Sequence, residues 1–99
     1  IQNIVSANIL AAKSSSTFNG KAYNICCGDK TSNSQILEFL TSRFPGIAIK
    51  HAPWRPGDVM HTQGDWSAAN RDFGYVPLVK FWDGLEMTLE WWDLESDVL

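Results

Sequence analysis

The residues best suited to chemistry form a short run, residues 54–58, which reads Trp-Arg-Pro-Gly-Asp. Pro56 fixes the backbone at the start of a turn and Gly57 permits a positive φ, so Arg55 and Asp58 can project to the same side. A guanidinium can form two parallel hydrogen bonds to a diphosphate. A carboxylate beside it can accept hydrogen bonds from sugar hydroxyls. The pair predicts a nucleotide-ligand site; the alternative is a surface ion pair within a loop, which contributes little to stability.

The other candidate residues favour a structural interpretation. His51 and His61 could act as acid or base near neutral pH, but neither belongs to a triad or a metal-ligand pattern. Asp65 precedes a short helical segment and is predicted to be a helix cap rather than a catalytic acid. Cys26 and Cys27 are adjacent, which rules out an ordinary disulfide between them and lacks the spacing of a zinc site. We therefore expect no metal and no catalytic residue.

Two motifs of redox enzymes are absent from the chain. It contains neither a glycine-rich dinucleotide-binding loop nor a Tyr-x-x-x-Lys pair. The sequence alone therefore offers no motif for binding a dinucleotide cofactor.

The composition restricts the classes of partner. A chain of 99 residues allows one modest domain or a piece of a larger one. A net charge of −3 argues against non-specific binding to nucleic acid. The sequence contains no apolar run of bilayer length and opens with no signal peptide, so we expect a cytoplasmic protein.

Apolar residues at helical spacing predict four helices. The second helix is opened by a capping box, Ser32 with Gln35, and stopped by residues 45–46. The third begins after Asp65 and ends at Gly74. The apolar positions expected to face the core in the first, second and fourth helices are Ile1, Ile4, Val5, Ile9 and Ala12; Ile36, Leu37, Leu40 and Phe44; and Phe81, Trp82, Leu85, Leu89 and Trp92.

Short apolar or alternating runs at residues 22–27, 47–51 and 59–63 predict extended strands. Helices that alternate with strands indicate an α/β fold, or α+β for the chain in isolation. We expect residues 1–92 to form one ligand-binding segment and residues 93–99 to form an acidic, frayed tail. No capping residue precedes the first apolar helix, which suggests a chain cut from a longer protein.

Seven short motifs occur in a definite order along the chain. They are residues 7–12, 22–25, 28–32, 55–59, 65–69, 73–77 and 84–88. This series resembles the C-terminal part of the NAD-dependent epimerase/dehydratase family, the extended short-chain dehydrogenases/reductases that act on nucleotide sugars. The resemblance extends from Ile4 to about Trp92. The motifs at 7–12 and 28–32 are most similar to those of UDP-N-acetylhexosamine 4-epimerases.

The resemblance implies that Arg55 binds the diphosphate and Asp58 the ribose hydroxyls of a UDP- or dTDP-linked sugar. It also implies that NAD and the catalytic residues belong to an N-terminal Rossmann domain that this chain lacks. On that resemblance, we expect this chain alone to bind no cofactor and to catalyse no reaction. Ala68 stands where the family often has Lys, and Phe73 where it usually has Leu. We interpret both departures as changes in packing.

Two hypotheses follow from the sequence. In the first, the chain is the substrate-binding C-terminal segment of a nucleotide-sugar epimerase or dehydratase. This hypothesis predicts an exposed apolar patch on the first helix, where the Rossmann domain would dock. In the second, the chain is a stand-alone, non-catalytic small domain that covers its apolar face by self-association, for example as a homodimer.

Overall fold

The computed structural model describes residues 1–96, which form four α-helices and no β-strand. The helices are α1 (Gln2–Lys13), α2 (Asn33–Arg43), α3 (Ser67–Phe73) and α4 (Phe81–Ser96). The chain divides into two compact units. Unit 1 comprises Ile1–Asp29 and Gly64–Leu99, and unit 2 comprises Lys30–Gln63.

The predicted α/β fold class is therefore wrong, because the three predicted strands do not form within the described residues. A strand is stable only when its N–H and C=O groups pair with those of a neighbouring strand. Residues 47–51 and 59–63 are exposed throughout, so their alternating pattern does not mark a buried face. Residues 22–27 are held instead by side-chain contacts with the core of unit 1. The described chain is all-α, with extended connections.

The core of unit 1 is small and lies where α1 packs against α3. Its buried residues are Ala7 on α1, Ala69 on α3 and Tyr75 just beyond α3. The short alanine side chains let the two helices approach closely. The Tyr75 hydroxyl donates a hydrogen bond to the Cys26 carbonyl at 3.0 Å, so the buried phenol keeps a polar partner. Burial raises the pKa of Tyr75, which keeps this donor protonated.

The apolar stripe of α1 faces outwards rather than towards this core. Ile1, Ile4, Val5 and Ile9 are 95%, 44%, 47% and 49% exposed. Ala7, which lies on the opposite side of the helix at 3.6 residues per turn, is the buried contact. The prediction that the stripe faces the core of this chain is wrong. The exposed patch that the first hypothesis predicts on this helix is present.

Local capping signals correctly predict the start of α2 and the end of α3, whereas the predicted cap Asp65 lies one residue before the N-cap of α3. The Ser32 hydroxyl accepts from the Gln35 N–H at 3.2 Å, and the Gln35 side chain accepts from the Ser32 N–H at 2.9 Å, which confirms the capping box. Asp65 accepts from the Ser67 N–H at 2.8 Å, one residue ahead of the N-cap position. This bond lowers the pKa of the Asp65 carboxyl. Gly74 ends α3 with a φ of 76°, a left-handed conformation that glycine adopts without strain.

The last helix extends into the segment predicted to be a tail. α4 continues through Ser96, and residues 97–99 of the predicted tail 93–99 lie outside the described residues. None of the described helices combines the length and the apolar character needed to cross a membrane.

Candidate functional site

The turn at residues 55–58 in unit 2 forms as the sequence predicts. The Asp58 N–H donates to the Arg55 carbonyl at 3.1 Å, and Gly57 has a φ of 91°. With Pro56 at the second position and a left-handed glycine at the third, these features define a type II turn. The closed turn brings the first and fourth residues together.

Arg55 and Asp58 meet through two separate hydrogen bonds. The Arg55 backbone N–H donates to Asp58 Oδ2 at 2.9 Å, and the Arg55 guanidinium Nη2 donates to Asp58 Oδ1 at 3.3 Å. The Arg55 side chain is 85% exposed and that of Asp58 is 34% exposed. An exposed ion pair of this kind stabilises a protein by about 0–1 kcal/mol. The guanidinium can therefore exchange this contact for another anion at little cost.

The turn forms one side of a cavity of about 510 Å³ that lies wholly within unit 2. The residues that line it are Asn33, Ala52, Pro53, Trp54, Arg55, Gly57, Asp58 and Val59. Arg55 and Asp58 carry its charges, the Asn33 amide adds hydrogen-bonding groups, and Trp54 and Val59 add exposed apolar surface. The volume falls within the range of small-molecule sites, about 300–1,000 Å³.

The remaining candidates from the sequence do not line this cavity. His51 and His61 are exposed residues of unit 2 that do not line it. Cys26 and Cys27 are half-buried free thiols of unit 1. The Cys27 thiol donates to the Val79 carbonyl at 3.2 Å. Across residues 1–96, no three His, Cys, Asp or Glu side chains converge as metal ligands would.

A charged cluster around Asp72 in unit 1 is not predicted by any sequence motif. Asp72 Oδ2 accepts from the Lys21 ammonium at 2.7 Å and from the Tyr23 hydroxyl at 2.6 Å. Arg71 Nε donates to Asp72 Oδ1 at 3.3 Å. The Lys21 and Tyr23 hydrogen bonds lower the pKa of Asp72 to about 2. The bond to Asp72 in turn raises the pKa of Tyr23. The cluster ties the loop before Tyr23 to the end of α3.

Asn3 is a second residue whose role no sequence signal reveals. Its side-chain oxygen accepts from the N–H groups of Leu78 and Val79 at 2.9 and 3.0 Å. Its amide nitrogen donates to the Val79 carbonyl at 2.8 Å. One side chain therefore satisfies three backbone groups ahead of α4. These partners are 75 and 76 residues away in sequence, which is why spacing gives no hint of them.

A second cavity, of about 670 Å³, lies in unit 1 between the start of α1 and the first turns of α4. Its lining is dominated by apolar side chains, including Ile1, Phe81, Leu85 and Trp91. The described residues that line it include no opposed charge pair like that of Arg55 and Asp58. The cavity of unit 2 is therefore the better match to a charged, hydroxyl-rich ligand.

The charged residues Arg55 and Asp58 distinguish the cavity of unit 2, and comparison with known proteins adds a relative. No protein-family model and no solved structure matches the chain. The chain is similar to a dTDP-glucose 4,6-dehydratase of Streptomyces niveus, with 33% identity over 75 residues. The aligned stretch covers 74% of this chain and 22% of that protein, so the chain spans about a fifth of its length.

This similarity points in the same direction as the series of motifs. It supports a relation to the NAD-dependent epimerases and dehydratases at the level of the family. The relative is named as a dehydratase, whereas two of the motifs are most similar to those of epimerases. The comparison therefore supports the broader resemblance and does not test the finer one.

Proposed function

We propose that this chain is the substrate-binding part of an NAD-dependent nucleotide-sugar epimerase or dehydratase. In this proposal Arg55 binds the diphosphate and Asp58 the ribose hydroxyls of a UDP- or dTDP-linked sugar. The observation that carries it is the type II turn that holds both side chains on one cavity. The similarity to a dTDP-glucose 4,6-dehydratase supports the class of ligand.

The two hydrogen bonds between Arg55 and Asp58 have different roles in the proposed binding. When the guanidinium turns to a phosphate, it gives up only the exposed 3.3 Å contact with Asp58 Oδ1. The 2.9 Å bond from the Arg55 backbone N–H still holds Asp58 Oδ2. The carboxylate therefore keeps its orientation, and Oδ1 becomes available to a ribose hydroxyl. Binding of the diphosphate to Arg55 therefore leaves Asp58 Oδ1 free to accept a hydrogen bond from the ribose.

The start of α2 supports an anion in the same cavity. Asn33 is the first residue of α2 and lines the cavity beside Arg55. The first turn of a helix carries N–H groups without intrahelical partners and a partial positive charge. A diphosphate that contacts Arg55 would occupy the cavity that Asn33 also lines, so this positive end would add to the bidentate guanidinium contact.

NAD does not fit the described residues. A dinucleotide pyrophosphate is held where a strand passes through a glycine-rich loop into a helix, and residues 1–96 contain no strand. We therefore derive no hydride-transfer step from this chain. In the proposal, NAD and the catalytic residues belong to a Rossmann domain of the intact enzyme, and the exposed stripe of α1 packs against that domain. The proposed setting is cytoplasmic.

Calorimetric titration of the chain with UDP and dTDP tests this proposal. Arg55→Ala removes a charge-assisted contact of about 1.5–3 kcal/mol, so we expect roughly 10- to 150-fold weaker binding. Arg55→Lys keeps the charge but loses the planar fork, and it should bind with intermediate affinity. Lys50→Ala removes an exposed charge of unit 2 outside the cavity and is the matched control. Equal affinities for Arg55→Ala and the unmodified chain would contradict the proposal.

The exposed stripe of α1 favours a second candidate function, a small domain that self-associates. Ile1, Val5 and Ile9 line a further cavity of about 480 Å³ together with Leu78. Analytical ultracentrifugation separates the candidates. A cooperative dimer that Val5→Asp converts to monomer would favour self-association. Aggregation or loss of tertiary structure in the isolated chain would favour a segment that needs its Rossmann domain.

A further inference from the structure

The cavity of unit 2 contains a large aromatic surface that the proposed contacts of Arg55 and Asp58 leave unused. Trp54 is 65% exposed and lines this cavity. Val59, also 65% exposed, lines the same cavity. An exposed indole is unfavourable in water because its apolar area stays hydrated. The exposed indole therefore gives this cavity apolar surface in addition to its charged residues.

The position of the ring follows from the turn. Trp54 and Val59 are the residues immediately before and after the turn at 55–58, and a closed turn brings its flanking residues near each other. Both residues line the same cavity as Asp58. In a nucleoside diphosphate the base is attached to the ribose, on the side away from the phosphates. A ligand with ribose on Asp58 and diphosphate on Arg55 therefore presents its base to the apolar surface of this cavity.

We infer that Trp54 is a positioning and affinity residue on which the nucleobase of a bound nucleoside diphosphate stacks, with Val59 extending the apolar surface. This inference rests on the proposed function. It adds a third contact, made through the flat face of the base rather than through its edge. Every base has such a face, so stacking is tolerant of base identity. Trp54 should therefore increase the affinity for both UDP and dTDP.

A set of ligands and variants separates this contact from the diphosphate contact. Inorganic pyrophosphate offers the charge without a base, whereas UDP offers both. Trp54→Ala should weaken UDP binding roughly 5- to 140-fold, which converts about 1–3 kcal/mol per stacked base at about 1.4 kcal/mol per tenfold. It should leave pyrophosphate binding unchanged. Trp54→Phe keeps an aromatic face and should retain most of the UDP affinity.

Two further variants serve as controls in the same titrations. Trp92→Ala removes another exposed indole, 65% exposed and located on α4 of unit 1, and should bind both ligands normally. Arg55→Ala should weaken UDP and pyrophosphate together. Tryptophan fluorescence gives a second readout: UDP should quench emission in the unmodified chain and in Trp92→Ala. The quenching should be lost in Trp54→Phe although calorimetry still detects binding.

The outcomes distinguish failure of this inference from failure of the proposed function. If Trp54→Ala binds UDP as the unmodified chain does, the stacking role is wrong and the proposed function stands. If Trp54→Ala loses UDP and pyrophosphate equally, Trp54 supports the turn and not the base, which also overturns the inference. If the unmodified chain binds neither ligand, the proposed function fails and the inference fails with it.

Discussion

The contacts within unit 1 differ in kind from the contacts within unit 2. Unit 1 contains all three buried residues of the described chain, Ala7, Ala69 and Tyr75. Its polar contacts, such as those of Asn3 and Asp72, join residues about 50 to 76 positions apart. Within Lys30–Gln63, by contrast, no residue is buried. The hydrogen bonds that shape unit 2 join residues three or four positions apart, in the capping box and in the turn.

This difference shows how a turn of defined geometry can form without a buried core. The turn at 55–58 takes its shape from Pro56, Gly57 and one carboxylate, all within the turn itself. Such local order needs only a few residues and leaves Trp54 and Arg55 exposed to a ligand. It also means that few tertiary contacts oppose local opening of unit 2. If the proposed function is correct, a nucleoside diphosphate that binds only the folded unit should stabilise it.

The largest expected effect comes from a glycine substitution in each unit, which tests whether unit 1 is packed more tightly than unit 2. A Cβ atom at Gly64 would lie 2.5 Å from Cys26 Sγ and 2.9 Å from Cys26 Cβ. Cys26 cannot yield freely, because its carbonyl accepts the hydrogen bond of the buried Tyr75. Overpacking of this kind costs about 1–3 kcal/mol. We expect Gly64→Ala to lower the free energy of unfolding of unit 1 by that amount in a urea titration followed by near-UV circular dichroism.

The matched control is Gly46→Ala in unit 2. A Cβ atom at Gly46 would meet no heavy atom within 4 Å, so this substitution should change stability by less than about 0.5 kcal/mol. A loss as large as that of Gly64→Ala would mean that unit 2 is packed as tightly as unit 1. A neutral Gly64→Ala would mean that the contact with Cys26 is easily relieved. Either result would remove the contrast between the units.

The features that sequence predicts correctly are the local ones. The four helices, the Ser32 capping box, the Gly74 terminator and the type II turn all depend on residues within a few positions of one another. Short-range propensity and capping chemistry decide such features. The turn at 55–58 belongs to this group, because Pro56 and Gly57 alone suffice to bring Arg55 and Asp58 together.

The features that sequence misses depend on which distant segments meet. The strand prediction is wrong because an alternating pattern states a preference for extension but supplies no partner strand. The prediction for the stripe on α1 is wrong because apolar periodicity marks a face without specifying what covers it. The Asn3 and Asp72 contacts, which join segments far apart in the chain, carry no local signature at all.

The smallest expected effect concerns acid stability of unit 1. The pKa of Asp72 is lowered in the folded chain to about 2, chiefly by the hydrogen bond from Lys21 and then by that from Tyr23. A carboxyl whose pKa is lower in the folded state favours folding above its unfolded pKa of about 3.9. That contribution is lost as pH falls from about 4 towards 2. Because the side chains of Lys21 and Asp72 are 45% and 24% exposed, solvent screens the pair.

Thermal melts of the unmodified chain at a series of pH values should therefore show a midpoint that falls between pH 4 and pH 2. Asp72→Asn keeps the shape of the side chain and removes its titration, so its midpoint should fall less steeply over the same range. The slope that remains in this variant is expected from Asp65, whose pKa is also lowered. Lys21→Met removes the leading cause of the Asp72 shift and should give an intermediate slope. Identical slopes for Asp72→Asn and the unmodified chain would show that the Asp72 cluster adds no stability. The polar contrast with unit 2 would then rest on the remaining long-range contacts of unit 1, such as those of Asn3, Cys27 and Tyr75.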